Sequence, residues 1–221
     1  MDNENVEKDI VYEIIPEVPE WAQKGYSSLE YMQWFEQEND YYLLRNYDLN
    51  PNSLVVDIGC YNATWIKDMY CKYNCNCIGI EPVKKYYEEG NRLFTYSDKV
   101  KLYNYGLTVD KKQKSCMMCL KGDESKIDDN GEVYVELVYA KHFFDSIDKD
   151  IDVLQINIEG YEYILLPFMF NNGLLNKVKN IQIQFHTVGS YSLMNDMISA
   201  LEYWGFQTKF NYPFIWYGGS K

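Results

Sequence analysis

The run Ser53-Leu-Val-Val-Asp-Ile-Gly-Cys-Tyr-Asn-Ala-Thr-Trp65, continued to Cys77-Ile-Gly-Ile-Glu-Pro82, leaves few folds open to this chain. Leu54, Val55, Val56 and Ile58 make a short apolar stretch rich in β-branched residues, as expected of a strand buried on both faces of a parallel sheet. Asp57 then falls near the carboxyl end of that strand. Gly59 allows a sharp turn and a close approach of backbone to a ligand, and a helix opening near Thr64 would aim its N-terminal amides into the same crevice. Cys77–Ile80 reads as a second strand, ended by Glu81 and stopped by Pro82.

A carboxylate at the end of the second strand can accept both hydroxyls of a ribose. Only Gly59 of the first turn is glycine, followed by Tyr61, Asn62 and Ala63, so the glycine pattern that cradles a pyrophosphate is missing. The ligand expected is therefore a nucleoside without a pyrophosphate. Such a turn followed by an acidic strand end resembles the class I methyltransferases, which bind S-adenosylmethionine. The donor-binding set expected on that resemblance is Asp57, Gly59, Tyr61, Asn62, Glu81, Pro82 and Asn104.

The rest of the chain alternates strands with helices. Lys84–Phe94 reads as a helix and Val100–Tyr105 as a third strand ending at Gly106, with Asn104 and Tyr105 at its crevice end. Residues 111–132 are polar and flanked by Cys116–Leu120 and Val133–Val138, which predicts an inserted hairpin or mobile loop. Ile151–Ile158 makes a fourth strand, and Tyr161–Phe170 a helix that Pro167 should shorten or kink. Ile181–Phe185 reads as a fifth strand ending at His186. Leu193–Trp204 is a helix closed by Gly205, and Phe206–Phe210 a sixth strand. Phe214–Tyr217 adds a seventh before a Gly218-Gly219 tail.

This order predicts a single-domain α/β fold, Rossmann-like, with a mostly parallel doubly wound sheet and an antiparallel end. At 221 residues the chain suits one such domain. Residues 1–26 read as an N-terminal arm and 27–221 as the domain. A helix from Ser27 or Ser28 to about Arg45 would carry Leu29, Met32, Trp34, Phe35, Tyr41 and Leu44, either packed on the sheet or serving as a lid.

Three strand ends converge on one sheet edge: Asp57–Asn62, Asn157–Glu162 and His186. Val56-Asp-Ile-Gly59 with Glu81, joined to Ile151-Asp-Val-Leu-Gln-Ile-Asn-Ile-Glu-Gly-Tyr-Glu162, resembles the FkbM family of S-adenosylmethionine-dependent methyltransferases over roughly residues 52–186. Against that family's Lys-Ile-Asp-Val-Glu-Gly-Ala-Glu, Ile156, Glu159, Gly160 and Glu162 match. Gln155, Asn157 and Tyr161 depart from it, as does Ala63 where the first turn has its last glycine. The resemblance implies methylation of a hydroxyl on a sugar, glycan or small molecule. The catalytic candidates at this edge are Glu159, Asn157 and, as a histidine at a strand end facing the site, His186, although an amide at 157 can orient a hydroxyl but cannot take its proton. The rival readings are a non-catalytic S-adenosylmethionine-binding or interaction protein and an NAD(P)-dependent oxidoreductase, the latter disfavoured by the missing glycines.

A net charge of −12 argues against nucleic acid and an anionic membrane as partners. No stretch approaches the roughly 20 apolar residues of a membrane span, and the start Met1-Asp-Asn-Glu-Asn is unlike a signal peptide, so a cytoplasmic protein is expected. Cys71, Cys75, Cys77, Cys116 and Cys119 sit at spacings that invite a zinc reading, but Cys77 falls in a strand, Cys71 in a helix, and no histidine is near; reduced thiols are expected, and no metal.

Overall fold

The computed structural model describes residues 34, 36–120, 126–127, 130–188 and 190–221. The expected arm at 1–26 lies outside them, as does most of the helix expected from Ser27. Its described part is not one continuous helix. Glu38 adopts a left-handed φ of 51°, and only the short α1, Asn39–Tyr42, follows before the chain descends toward the first strand.

The main sheet is built on β1 (Leu54–Ile58), a strand buried along its whole length. A continuous apolar run suits only the middle of a sheet covered on both faces. Parallel to β1 lie β2 (Asn76–Ile80) on one side and β8 (Ile151–Ile156) on the other. β3 (Val100–Tyr103) extends one edge beyond β2. Beyond β8 come β9 (Val178–Ile183), in parallel, then β11 (Trp216–Ser220) and β10 (Gln207–Tyr212) as an antiparallel end. The crossovers are α2 (Thr64–Tyr73), α3 (Lys84–Arg92), α5 (Glu162–Asn171) and α6 (Tyr191–Tyr203), so helices cover both faces as the alternating order requires.

Two apolar clusters flank the sheet because alternate residues of the central strands face opposite ways. Val56, Leu154 and Ile181 join α5 and α6 residues such as Leu165 and Leu201. Val55 and Val153 join Trp65, Ile66 and Met69 of α2.

A second, smaller sheet was foreshadowed only in part. β5 (Ser115–Cys119) and β7 (Val133–Tyr139) form an antiparallel pair across the polar insertion, with β6 (Lys126–Ile127) at the edge and β4 (Gly106–Thr108) parallel to β7. The insertion is thus a hairpin. The third strand is shorter than expected: it stops at Tyr103 because the Asn104 amide turns back to the carbonyls of Glu81 and Pro82, and the chain leaves for the second sheet.

Other boundaries also differ from expectation. β7 runs directly into a short helix, α4 (Ala140–Asp145), which the sequence reading passed over. α5 continues past Pro167 to Asn171 rather than shortening there. Gly218 and Gly219 are not a tail but the inner part of β11. A Cβ at Gly218 would lie 2.3 Å from the Phe210 ring, so this strand has a glycine where an aromatic side chain crosses it. No helix among the described residues is long and apolar enough to cross a membrane.

Candidate active site

The carboxyl ends of β1, β2 and β8 open into a cavity of about 670 Å³, within the range of small-molecule sites. Asp57, Gly59, Tyr61, Asn62, Glu81, Pro82, Asn157 and Glu159 all line it. The structure therefore brings together eight of the ten site residues expected from the sequence. Asn104 and His186 stand behind the wall.

The first turn is fixed by crowding. Gly59 has φ 84°, and a Cβ there would meet the Asn157 carbonyl oxygen at 1.9 Å. The amides of Gly59 and Cys60 both donate to Ile80 O at 3.0 Å, which pins this turn to the end of β2. Tyr61 and Ala63 are left-handed as well, at φ 48° and 59°. Ala63 therefore stands at a position that favours glycine, at a cost of about 1 kcal/mol. Its buried methyl faces Gly90 of α3, where an added Cβ would come within 2.9 Å.

Asp57 and Glu81 are both buried acids held by neutral groups. Gln155 Nε2 donates to Asp57 Oδ1 at 3.0 Å, while Asp57 Oδ2 has no partner among the described residues. Burial pushes the Asp57 pKa up to about 7; the Gln155 hydrogen bond opposes this, the Glu81 charge adds to it, and the Arg45 charge opposes it. Glu81 accepts from the Tyr61 amide on Oε2 and from the Val83 amide on Oε1, each at 2.8 Å. Burial raises its pKa to about 7 as well, against the pull of those two amides. Asn104 Nδ2 donates to Glu81 O at 2.9 Å and Pro82 O at 3.0 Å, bracing the backbone that carries Glu81.

The β8 end is organised differently. Glu159 is left-handed at φ 54° and its Oε1 lies 3.1 Å from His186 Nε2. On the other side His186 Nδ1 lies 3.1 Å from Oε1 of the fully buried Glu162. Glu162 also accepts from the backbone amides of His186 at 2.7 Å and Gly160 at 2.8 Å. Burial alone would lower the His186 pKa, but its hydrogen bonds to Glu159 and Glu162 and their charges outweigh it and raise the value to about 10. The imidazole is a cation clamped between two carboxylates at neutral pH. Asn157 Oδ1 is buried with no partner among the described residues.

Several lining residues were not singled out from the sequence. Asp40 and Arg45 close one side together with Leu44, which the sequence places on a helix packed on the sheet or serving as a lid, and Met118, Val135 and Leu137 of the small sheet form an apolar wall. Alternation in Val133-Tyr-Val-Glu-Leu137 marks a half-buried strand, but nothing local says what it faces. Among the described residues no group of three or more His, Cys, Asp or Glu could hold a metal ion.

The site suits a ligand with a cationic end and a ribose. A buried carboxylate oxygen without a donor calls for an ammonium group, and Glu81 keeps its second lone pairs for hydroxyls on the same cavity wall. The described geometry thus fits S-adenosylmethionine.

The sequence matches the model of the methyltransferase FkbM domain over residues 57–208. No curated protein matches it at a significant level. Among solved structures it is similar to precorrin-6y C5,15-methyltransferase from Geobacter metallireducens GS-15, at 12% identity and a TM-score of 0.51, over 84% of this chain and 88% of that one. It is also similar to Aeropyrum pernix fibrillarin in complex with natively bound S-adenosyl-L-methionine, at 8% identity and a TM-score of 0.47, over 82% of this chain and 74% of that one. The first of these likenesses supports the fold: an α/β methyltransferase sheet with one antiparallel end.

Proposed function

The chain belongs to the FkbM methyltransferase family, with S-adenosylmethionine as its donor, and on that premise we propose that it methylates a hydroxyl oxygen on a sugar, glycan or other small molecule. The observation that carries this reading is the β8 end, where the Asn157 amide and the Glu159 carboxylate line the same cavity as Asp57 and Glu81.

The donor supplies an electrophilic methyl group on a sulfonium. Asp57 would receive its ammonium group on Oδ2, Glu81 its ribose hydroxyls, and the Gly59–Asn62 turn its close backbone approach. Tyr61 and Pro82 flank the Glu81 carboxylate, and Asn104 holds that segment from behind. On the acceptor side Asn157 Oδ1 accepts from a second polar hydrogen of the acceptor molecule and so orients it, leaving the proton of the reacting hydroxyl to Glu159. Glu159 takes the hydroxyl proton as the new O–C bond forms and the S–C bond breaks. His186 does not serve as the base in this reading, because it already carries its proton at neutral pH. It positions Glu159 instead. Holding the oxygen in line behind the methyl group can itself supply much of the barrier reduction.

The test is incubation with methyl-labelled donor and a panel of sugars, glycosides and small alcohols, alongside amine and carboxylic acid acceptors. Label recovered as a base-stable methyl ether is the expected result. Label found only on nitrogen, carbon or a carboxylate ester would overturn the hydroxyl assignment while leaving the methyltransferase fold and donor untouched.

A further inference from the structure

Asp57, Gln155 and Gln182 occupy one register row across three adjacent central strands, Asp57 opposite Gln155 and Gln155 opposite Gln182. All three are buried, Asp57 and Gln182 with 0% exposure. Three polar side chains side by side in an otherwise apolar sheet core must satisfy one another. They do so in a single line. Tyr47 Oη donates to Gln182 Oε1 at 2.5 Å, Gln182 Nε2 donates to Gln155 Oε1, and Gln155 Nε2 donates to Asp57 Oδ1 at 3.0 Å.

The direction of this line is dictated from one end. An ionised carboxylate only accepts, so Gln155 must offer its amide hydrogens to Asp57. Its carbonyl then faces Gln182, which must offer hydrogens in turn, and the Gln182 carbonyl is left for the Tyr47 hydroxyl. Turned over, the Gln182 amide would donate to Leu44 O at 3.3 Å and Tyr47 Oη, and accept from Trp65 Nε1 at 3.3 Å. That orientation sets the carbonyls of Gln155 and Gln182 against each other unless Gln155 turns too, which suits only a row ending on a protonated Asp57. Leu44 and Trp65 themselves line the cavity.

We propose that Gln182 and Tyr47, neither of which lines the cavity, are positioning residues of the donor site: acting through Gln155, they hold the Asp57 carboxylate ionised and aimed at the donor's ammonium group. The inference rests on the donor reading above. Where a cation could have stood beside Asp57, this chain uses a neutral hydrogen-bond line that reaches from the donor carboxylate across three strands to the 44–47 segment packed on the same sheet face.

The other groups facing Asp57 are Arg45 from that segment, Glu81 and Cys77 from the β2 side, and Cys60 from its own turn. Arg45 favours the charged form and Glu81 opposes it. None of them is touched by a change at 182, so the row can be tested alone.

The experiment is titration of the full chain with S-adenosylhomocysteine between pH 5.5 and 8.5, for wild type, Gln182→Met and Tyr47→Phe. Without the Gln182 amide on its carbonyl, Gln155 is no longer held with its own amide hydrogens toward Asp57, so the midpoint of the affinity–pH curve should move upward by about one unit in Gln182→Met, and by less in Tyr47→Phe. Affinity on the alkaline plateau should stay within about twofold of wild type, since Asp57 is ionised there in every variant. A lowered thermal midpoint with an unmoved pH curve would reduce the row to a packing feature and overturn the inference. If Gln182→Met does not fold, Tyr47→Phe, altered at one hydroxyl, decides the matter. A wild-type chain that binds no S-adenosylhomocysteine at any pH overturns the donor reading and this inference together, whereas binding with unshifted variants overturns the inference alone.

Discussion

The two acidic ends of the cavity hold their charges by opposite means. At β1 and β2, Asp57 and Glu81 are buried among amides, with only neutral donors on their oxygens. Beside β8, Glu159 and Glu162 share a half-buried imidazolium. Neutral hydrogen bonds only partly replace the hydration that burial removes, so the first pair sits near its titration point. An imidazolium between two carboxylates, one of which also accepts two backbone amides, is held in place without a ligand. One end is therefore built to be completed by a cation from outside, and the other to be rigid before anything arrives.

The sharpest way to break this contrast is a pair of substitutions. Glu162→Leu leaves His186 paired with Glu159 alone and strips the Gly160 and His186 amides of their buried acceptor, so it should cost about 3–5 kcal/mol of stability in denaturant unfolding. Donor affinity in whatever remains folded should change little. Glu81→Ala should act mainly on the ligand, weakening S-adenosylhomocysteine binding roughly 100-fold through the lost charge-assisted bonds to two hydroxyls, with a smaller stability cost of about 1–2 kcal/mol from the Tyr61 and Val83 amides it leaves without an acceptor. If both variants lost stability and affinity alike, the two ends would be one unit and the contrast would fail.

A smaller effect, with its own pH window, separates them further. Asp57 and Glu81 are raised from 3.8 and 4.5 to about 7 by burial. The folded chain therefore keeps protons that the unfolded chain has released, and stability falls as pH rises from about 4 to 7. His186 is raised from 6.5 to about 10, so its contribution is complete below 6.5 and is lost as pH climbs through 10. Unfolding midpoints measured from pH 5 to 10 should thus decline in two stages. Saturating S-adenosylhomocysteine should flatten the first stage, because its ammonium pairs with ionised Asp57, and leave the second in place. A ligand that flattened the second stage would show that the imidazolium cluster belongs to the donor site after all.

What could be read from the sequence follows the same division. The strand ends were legible because each is marked locally: an apolar run, then Asp57 and Gly59, or Glu81 and Pro82, or Glu159 and Gly160. Partners were not, because they are fixed by sheet register. Gln182 sits in Ile181-Gln-Ile-Gln-Phe185, which reads as ordinary alternation; only the order of β1, β8 and β9 sets it in line with Asp57. His186 looked like a free base at a strand end, and its clamp depends on Glu162, 24 residues earlier, folding under it. The apolar wall of Met118, Val135 and Leu137 was hidden for the same reason, since the hairpin's faces are decided by where β4 draws it.

Asn104 gives the finest test, since the sequence set it among donor-binding residues and the structure sets it behind them. Its Nδ2 bonds to two carbonyls, Glu81 O and Pro82 O, and both need a donor. Asn104→Ala should weaken S-adenosylhomocysteine binding only about threefold, by loosening the segment that aims Glu81, and cost about 1–2 kcal/mol of stability. Asn104→Asp is the informative partner. A carboxylate can only accept, so it loses both bonds and faces two carbonyl oxygens. A brace therefore predicts that Asp is worse than Ala in unfolding experiments. A side chain that instead accepted from an adenine amino group would work as well with aspartate as with asparagine, and Asp would then bind better than Ala. The order of these two variants decides whether position 104 touches the ligand or only supports the residue that does.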